Sequence, residues 1–220
     1  MTDRWATFDC YGTLIDWHGG LRAGLRSVWP DADPWKLHMR YLEMEAAIQA
    51  GSGVPYREVL IEGLARVAEA EQLTIPPGRA TTLADALPSW QPFPEVSGSL
   101  EELRRRGWRI AILSNTDPDY LDASLGHIGV PVDLRVVASE IGSYKPAPGH
   151  WDTFFERTGA DRSRHVHVAA SLFHDIEPCA RMGIPCVWID RETEITNLPM
   201  AARLTDLTEL SDTLDRLVPA

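Results

Sequence analysis

The sequence predicts an α/β fold, a parallel sheet whose first strand is parted from the rest by a long helical insertion, and three observations point to it. A short β-prone run, Trp5-Ala6-Thr7-Phe8, stops on Asp9 and is followed by a Tyr11-Gly12-Thr13 turn. From about Asp16 to Pro88, apolar residues recur at helical spacing with no convincing strand among them. From about Pro94 onward, helical segments alternate with apolar β-like runs, as in a parallel sheet covered on both faces.

Within the insertion the spacing predicts helices over Trp35–Ala50, Tyr56–Ala70 and Gly78–Leu87. Beyond it, a helix over Val96–Arg106 leads to the strand Arg109–Leu113, a helix near Pro118–Ile128 and the strand Leu134–Val137. A helix from about Gly149 to Thr158, the strand His165–Ala169, a helix near Asp175–Met182 and the strand Cys186–Ile189 complete the series. The first strand has to join the later sheet, so the helical stretch leaves the core and returns. This gives a Rossmann-like core of residues 1–15 and 92–220 with a helical cap of residues 16–91. The proline-rich Trp90-Gln91-Pro92-Phe93-Pro94 is the expected hinge.

With 220 residues, 44% of them hydrophobic, the chain can bury one substantial core and a small appended subdomain. A net charge of −11 argues against nucleic acid or an anionic membrane as partner, since both would be repelled. A small anionic substrate stays open if donors gather locally. Cys10, Cys179 and Cys186 are too few and too irregular for a disulfide framework or a zinc site, and are expected to pack as buried thiols. No basic segment precedes a long apolar one, and nowhere do 18 apolar residues run together, so a cytoplasmic protein is expected.

In open α/β sheets the site lies beyond the carboxyl ends of the strands. The residues there are Asp9, Ser114-Asn115, Lys145 in a later loop, and Ala170-Ser171 with Asp175. A carboxylate such as Asp9 can attack an electrophilic carbon or phosphorus and divide a displacement into two easier steps. Gly12 permits a tight turn, and Thr13 can hold a carboxylate oxygen of Asp9. Lys145 supplies a charge that favours the ionised carboxylate, while Ser114 and Asn115 offer donors to an anionic group. Asp175 is a candidate base for water, with His174 beside it as a second. Tyr11, Trp17 and Trp151 could wall an apolar pocket.

Phe8-Asp9-Cys10-Tyr11-Gly12-Thr13-Leu14, followed in order by Ser114-Asn115, Lys145-Pro146 and Asp175, resembles the four-part signature of the haloacid dehalogenase superfamily over essentially the whole chain. The phosphatases of that superfamily carry a second Asp where this chain has Tyr11, and an acidic magnesium ligand where it has Ala170. The resemblance is therefore to the metal-independent 2-haloacid dehalogenases, and it implies neither metal nor cofactor. It implies a small 2-haloalkanoic acid as substrate, an ester on Asp9, halide as a leaving group that needs no acid, and a 2-hydroxy acid as product.

It also implies an Arg from the cap to receive halide or substrate, a role that falls on Arg40, and an assembly that is often dimeric. The chain departs from those dehalogenases at Leu172, where they have an Asn that helps to place water. Three other readings stay open. One is a hydrolase acting on another carbon-bound leaving group, such as a strained-ring amine, with Tyr11, Asp16 or His18 as proton donor. The others are a drifted magnesium phosphatase and a non-catalytic binding protein.

Overall fold

The computed structural model describes residues 3–49 and 54–220. Among them, β1 (Arg4–Phe8), β2 (Trp108–Ser114), β3 (Leu134–Val137), β4 (His165–Ala169), β5 (Cys186–Ile189) and β6 (Ala202–Leu204) form one sheet. Its order is β3-β2-β1-β4-β5-β6, and every pairing is parallel. β1 is buried at every residue, as a strand covered on both faces must be. Ala6, Phe8, Ile110, Ile112, Val166 and Val168 enter one apolar cluster, and Trp5, Ala111, Leu113 and Trp188 enter the other. The alternation is that of successive side chains on opposite faces of a strand. The strand order turns back between β1 and β4, which opens a crevice beyond their carboxyl ends.

Among the described residues, the insertion that follows β1 holds α1 (Trp17–Val28), α2 (Pro34–Gln49), α3 (Tyr56–Ala70) and α4 (Thr82–Ala86). The sequence reading finds α2 and α3, although the Ala50 end of the first lies outside the described residues. It overextends α4, whose approach through Pro76-Pro77-Gly78 is a turn with Gly78 at φ +77°. It misses α1, which buries Trp17, Leu21, Leu25 and Val28 on one face and is capped by Asp16, accepting from Gly19 N at 2.8 Å. The glycines that weaken its helical signal allow close packing instead. A Cβ on Gly20 would lie 2.4 Å from the Trp90 ring, and one on Gly24 would lie 2.6 Å from Leu83.

The remaining helices are α5 (Val96–Arg105), α6 (Pro118–Ile128), α7 (Ala138–Ile141), α8 (Gly149–Thr158), α9 (Glu177–Met182) and α10 (Leu210–Leu217). The helix expected from Asp175 is preceded by a single wide π-turn, Leu172–Ile176. β6 and α7, of three and four residues, are too short to stand out as patterns, and α10 is not anticipated either. The three cysteines are free and buried.

Polar contacts tie the inserted helices to the sheet side. The Asp117 carboxylate accepts from Tyr56 N and Arg57 N, both at 2.9 Å, and so satisfies orphan donors at the start of α3. Tyr144 Oη donates to Val54 O, and Tyr120 Oη donates to Ala84 O. At the expected hinge, Ile15 and Pro92 form an antiparallel bridge.

Candidate active site

Asp9 follows β1 and continues its ladder, its N–H donating to Val168 O at 3.1 Å. Gly12, at φ +91°, lets the next residues double back, so Leu14 N reaches Cys10 O at 2.8 Å. That turn brings Thr13 Oγ1 to Asp9 Oδ2, to which it donates at 2.8 Å, while accepting from Ala170 N at 2.9 Å. One hydroxyl thus joins the ends of β1 and β4 at the point where the strand order turns back.

Lys145 completes the floor of the site. Its Nζ donates to Asp9 Oδ1 at 2.9 Å and to Asp175 Oδ1 at 2.7 Å. Asn115 holds the lysine backbone, accepting from Lys145 N at 2.7 Å and donating to Lys145 O at 3.0 Å. Burial works against the Lys145 charge, but Asp175 and Asp9 outweigh it and raise the pKa. Burial likewise opposes the Asp175 charge, and Lys145 with His167 outweighs it and lowers that pKa. The π-turn delivers Asp175: its N–H and that of Ile176 both donate to Ser171 O, which widens the turn.

Behind Asp175 runs a chain of hydrogen bonds through the core. His167 Nε2 lies 2.9 Å from Asp175 Oδ1, His167 Nδ1 lies 2.8 Å from Thr7 Oγ1, and Thr7 Oγ1 lies 2.8 Å from His165 Nε2. An ionised Asp175 can only accept, so His167 Nε2 carries the hydrogen. Thr7 Oγ1 links the two rings, within hydrogen-bond distance of His167 Nδ1 and of His165 Nε2. His165 Nδ1 ends the chain, buried and unpartnered. Burial and then the neighbouring His167 hold His165 down to about 3, so its ring is neutral.

A pocket of about 150 Å³ opens above this floor. Asp9, Tyr11, Ser114, Asn115, Lys145, Ser171, His174 and Asp175 line it from the sheet side, and Trp17, His18, Leu42, Glu45, Gln49 and Tyr56 line it from the insertion. Ser114 Oγ is buried there with no hydrogen-bond partner among the described residues. His174 Nδ1 faces Ser171 Oγ at 3.1 Å, and burial lowers the ring's pKa.

Asp9, Thr13, Lys145 and Asp175 therefore meet, with Tyr11, Ser114, Asn115 and His174 around them. Two expected residues lie elsewhere. Arg40 pairs with Glu71 at 3.1 Å and Glu43 at 2.6 Å, away from the pocket. The reason is helical phase: α2 presents Leu42, Glu45 and Gln49 to the pocket, and Arg40 is two residues off that stripe. Trp151 is fully buried behind the floor, its ring edge-on to His167 at 5.4 Å.

The expected proton donors are also otherwise engaged. Tyr11 Oη meets Ser124 Oγ at 3.0 Å, and burial raises its pKa well above the usual phenol value. Asp16 caps α1. His18 meets His38 at 3.0 Å, and burial lowers its pKa. Sequence reasoning missed Leu42, Glu45, Gln49 and Tyr56. The available signal was Glu45 itself, a charged residue on the same buried face as His38, Tyr41 and Ile48.

Magnesium, which the phosphatase branch of the resemblance would require, does not suit this donor set. Ala170 offers no side-chain oxygen, and the Lys145 ammonium binds both nearby carboxylates.

The parallel sheet, its helical insertion and the two carboxylates on one ammonium make this an α/β protein with its candidate site at the carboxyl ends of the strands. The model of haloacid dehalogenase-like hydrolases matches residues 4–183, and the chain belongs to that family. It is 29% identical over 201 residues to an (S)-2-haloacid dehalogenase of Pseudomonas sp. (strain YL), covering 84% of this chain and 81% of the relative. It is 28% identical to haloacetate dehalogenase H-2 of Moraxella sp. (strain B), covering 84% of each. Among solved structures, a dehalogenase with an intermediate complex shares the fold at a TM-score of 0.86 and 22% identity, covering 100% of this chain and 98% of the other.

Proposed function

We propose that the chain hydrolyses small 2-haloalkanoic acids to 2-hydroxy acids through an ester on Asp9. The observation that carries this reading is the single ammonium shared by Asp9 and Asp175, which holds one carboxylate as nucleophile and a second as base. The curated dehalogenase relatives support halide as leaving group.

In this mechanism Asp9 Oδ1 or Oδ2 attacks C2 of the substrate, and halide departs with the electron pair of the broken bond. Ser114 Oγ, which lacks a partner, and the Lys145 charge receive the substrate carboxylate. Asp175 then takes a proton from water, which attacks the Asp9 carbonyl carbon. The C2 oxygen leaves with the product, and Asp9 keeps the water oxygen. Thr13 holds Asp9 at the attack angle. Residues 16–91 act as the cap that excludes bulk water. The partner is a small organic acid, and a homodimer is the assembly we propose.

The test is halide release from 2-chloropropionate, with one turnover in oxygen-18 water and mass spectrometry of the Asp9 peptide. Label in Asp9 is the expected result, and turnover that leaves Asp9 unlabelled rejects the ester. The Asp9→Asn variant should lose activity by roughly 10⁴-fold or more.

A further inference from the structure

In-line displacement at carbon drives the departing group to the side away from the attacking oxygen. Asp9 stands on the floor, so that side is the wall built by α1, α2 and α3. Among the described residues, no lysine or arginine of that wall lines the pocket. What the wall offers is a carboxyl group, Glu45, and the residue is only 7% exposed.

The hydrogen bonds around Glu45 have a fixed polarity. Trp17 Nε1 donates to Tyr56 Oη at 3.1 Å, and Tyr56 Oη donates to Glu45 Oε1 at 2.7 Å. Among the described residues, nothing hydrogen-bonds Glu45 Oε2. The titratable groups around Glu45 are Tyr41, Tyr56 and Tyr144, with no cation among them to hold it ionised. Burial pushes the carboxyl up to about 7, against a smaller opposing effect of the Tyr56 hydrogen bond. A halide has no use for such an acid, because it leaves as a stable anion.

We propose that Glu45 donates a proton to the leaving atom, and that the pocket also takes small carboxylic acids whose C2 lies in a strained ring closed through oxygen or nitrogen. This rests on the Asp9 ester route. The Asp9 oxygen bonds to C2, the C2–heteroatom bond breaks, and its electron pair goes to the heteroatom, which takes the Glu45 proton. Water then adds to the Asp9 carbonyl carbon and gives one proton, through Asp175, to the departing C2 oxygen. The second proton is released as Asp9 returns to its carboxylate form, and it re-protonates Glu45. The sum is ring plus water to the ring-opened 2-hydroxy acid, with no other reactant.

The experiment compares oxirane-2-carboxylate, aziridine-2-carboxylate and 2-chloropropionate in the wild type and Glu45→Gln, each in oxygen-18 water. The wild type should open at least one ring, and the substitution should lower the ratio of ring opening to halide release by about 10²- to 10⁴-fold. The two ring substrates tell an oxygen leaving atom from a nitrogen one. If Glu45→Gln does not fold, the wild-type profile serves: ring opening must decline as pH rises through about 7, where the acid loses its proton. A flat profile, an unchanged ratio, or no ring opening alongside labelled Asp9 from the haloacid overturns the role of Glu45 and leaves the ester route standing. Turnover without label in Asp9 from any substrate overturns the ester route itself, and this proposal with it.

Discussion

On the floor of the pocket Lys145 reaches two carboxylates, within 2.9 Å of one and 2.7 Å of the other; on the wall above it Glu45 is also buried and, among the described residues, takes its hydrogen bond from the Tyr56 hydroxyl alone. The floor keeps its charges by pairing them out of water. The wall keeps its histidines neutral and raises its carboxyl toward neutrality. Burial alone does not decide whether a carboxyl is ionised; the nearest cation does. One pocket can thereby hold a base and an acid built from the same functional group.

Substituting Lys145 by Met breaks this contrast most severely, because it leaves two buried carboxylates without a counter-charge. It should cost about 3–5 kcal/mol of folding stability, read as a lower urea midpoint. A smaller effect is expected from His167→Phe, which removes the donor behind Asp175 but leaves Asp9 and Lys145 in place. Losing a hydrogen bond to a charged group is worth about 1.5–3 kcal/mol, so turnover should fall about 10- to 100-fold. If His167 positions the base, the loss falls on ester hydrolysis and the labelled Asp9 adduct accumulates; equal slowing of both steps would reduce His167 to packing.

The neutral histidines also predict a pH dependence of stability. Burial, followed by Lys145 for His150 and by His167 for His165, holds both rings down to about 3. An unfolded histidine takes up its proton near about 6.5. Between those values the unfolded chain binds protons that the folded chain refuses, so stability falls as pH drops from about 6.5 and is restored above it. Each of these rings contributes a slope of up to about 1.4 kcal/mol per pH unit, measurable from denaturant midpoints, and His165→Gln should flatten it. The smallest effect belongs to Arg40→Ala. Its partners, the exposed Glu43 and the half-buried Glu71, lie away from the pocket, so the haloacid kcat should stay within about twofold. A large loss would return Arg40 to the site.

The two sides of the pocket also differed in how readable they were. Floor residues follow strands, and a strand end fixes where the next side chain emerges, so Asp9, Ser114, Asn115 and Asp175 could be placed from order alone. The wall depends on helical phase, which distance from Asp9 along the chain does not give. Arg40 stands where a cap arginine was expected, yet Glu45 faces the pocket. Trp151 failed for a different reason: its helix runs behind the sheet, and only the register of α8 against β4 shows that its ring faces the core. α1 escaped notice because Gly19, Gly20 and Gly24 dilute its pattern while serving its packing.

The chain passes between sheet and insertion twice, and the two passages are bonded to each other. Phe93 N donates to Leu14 O and Asp16 N donates to Gln91 O, both at 3.0 Å, around the Ile15–Pro92 bridge. A lone linker could swivel, whereas a paired ribbon bends in one direction and resists twisting. Stapling it with a disulfide would slow product departure before it touched any step of bond making.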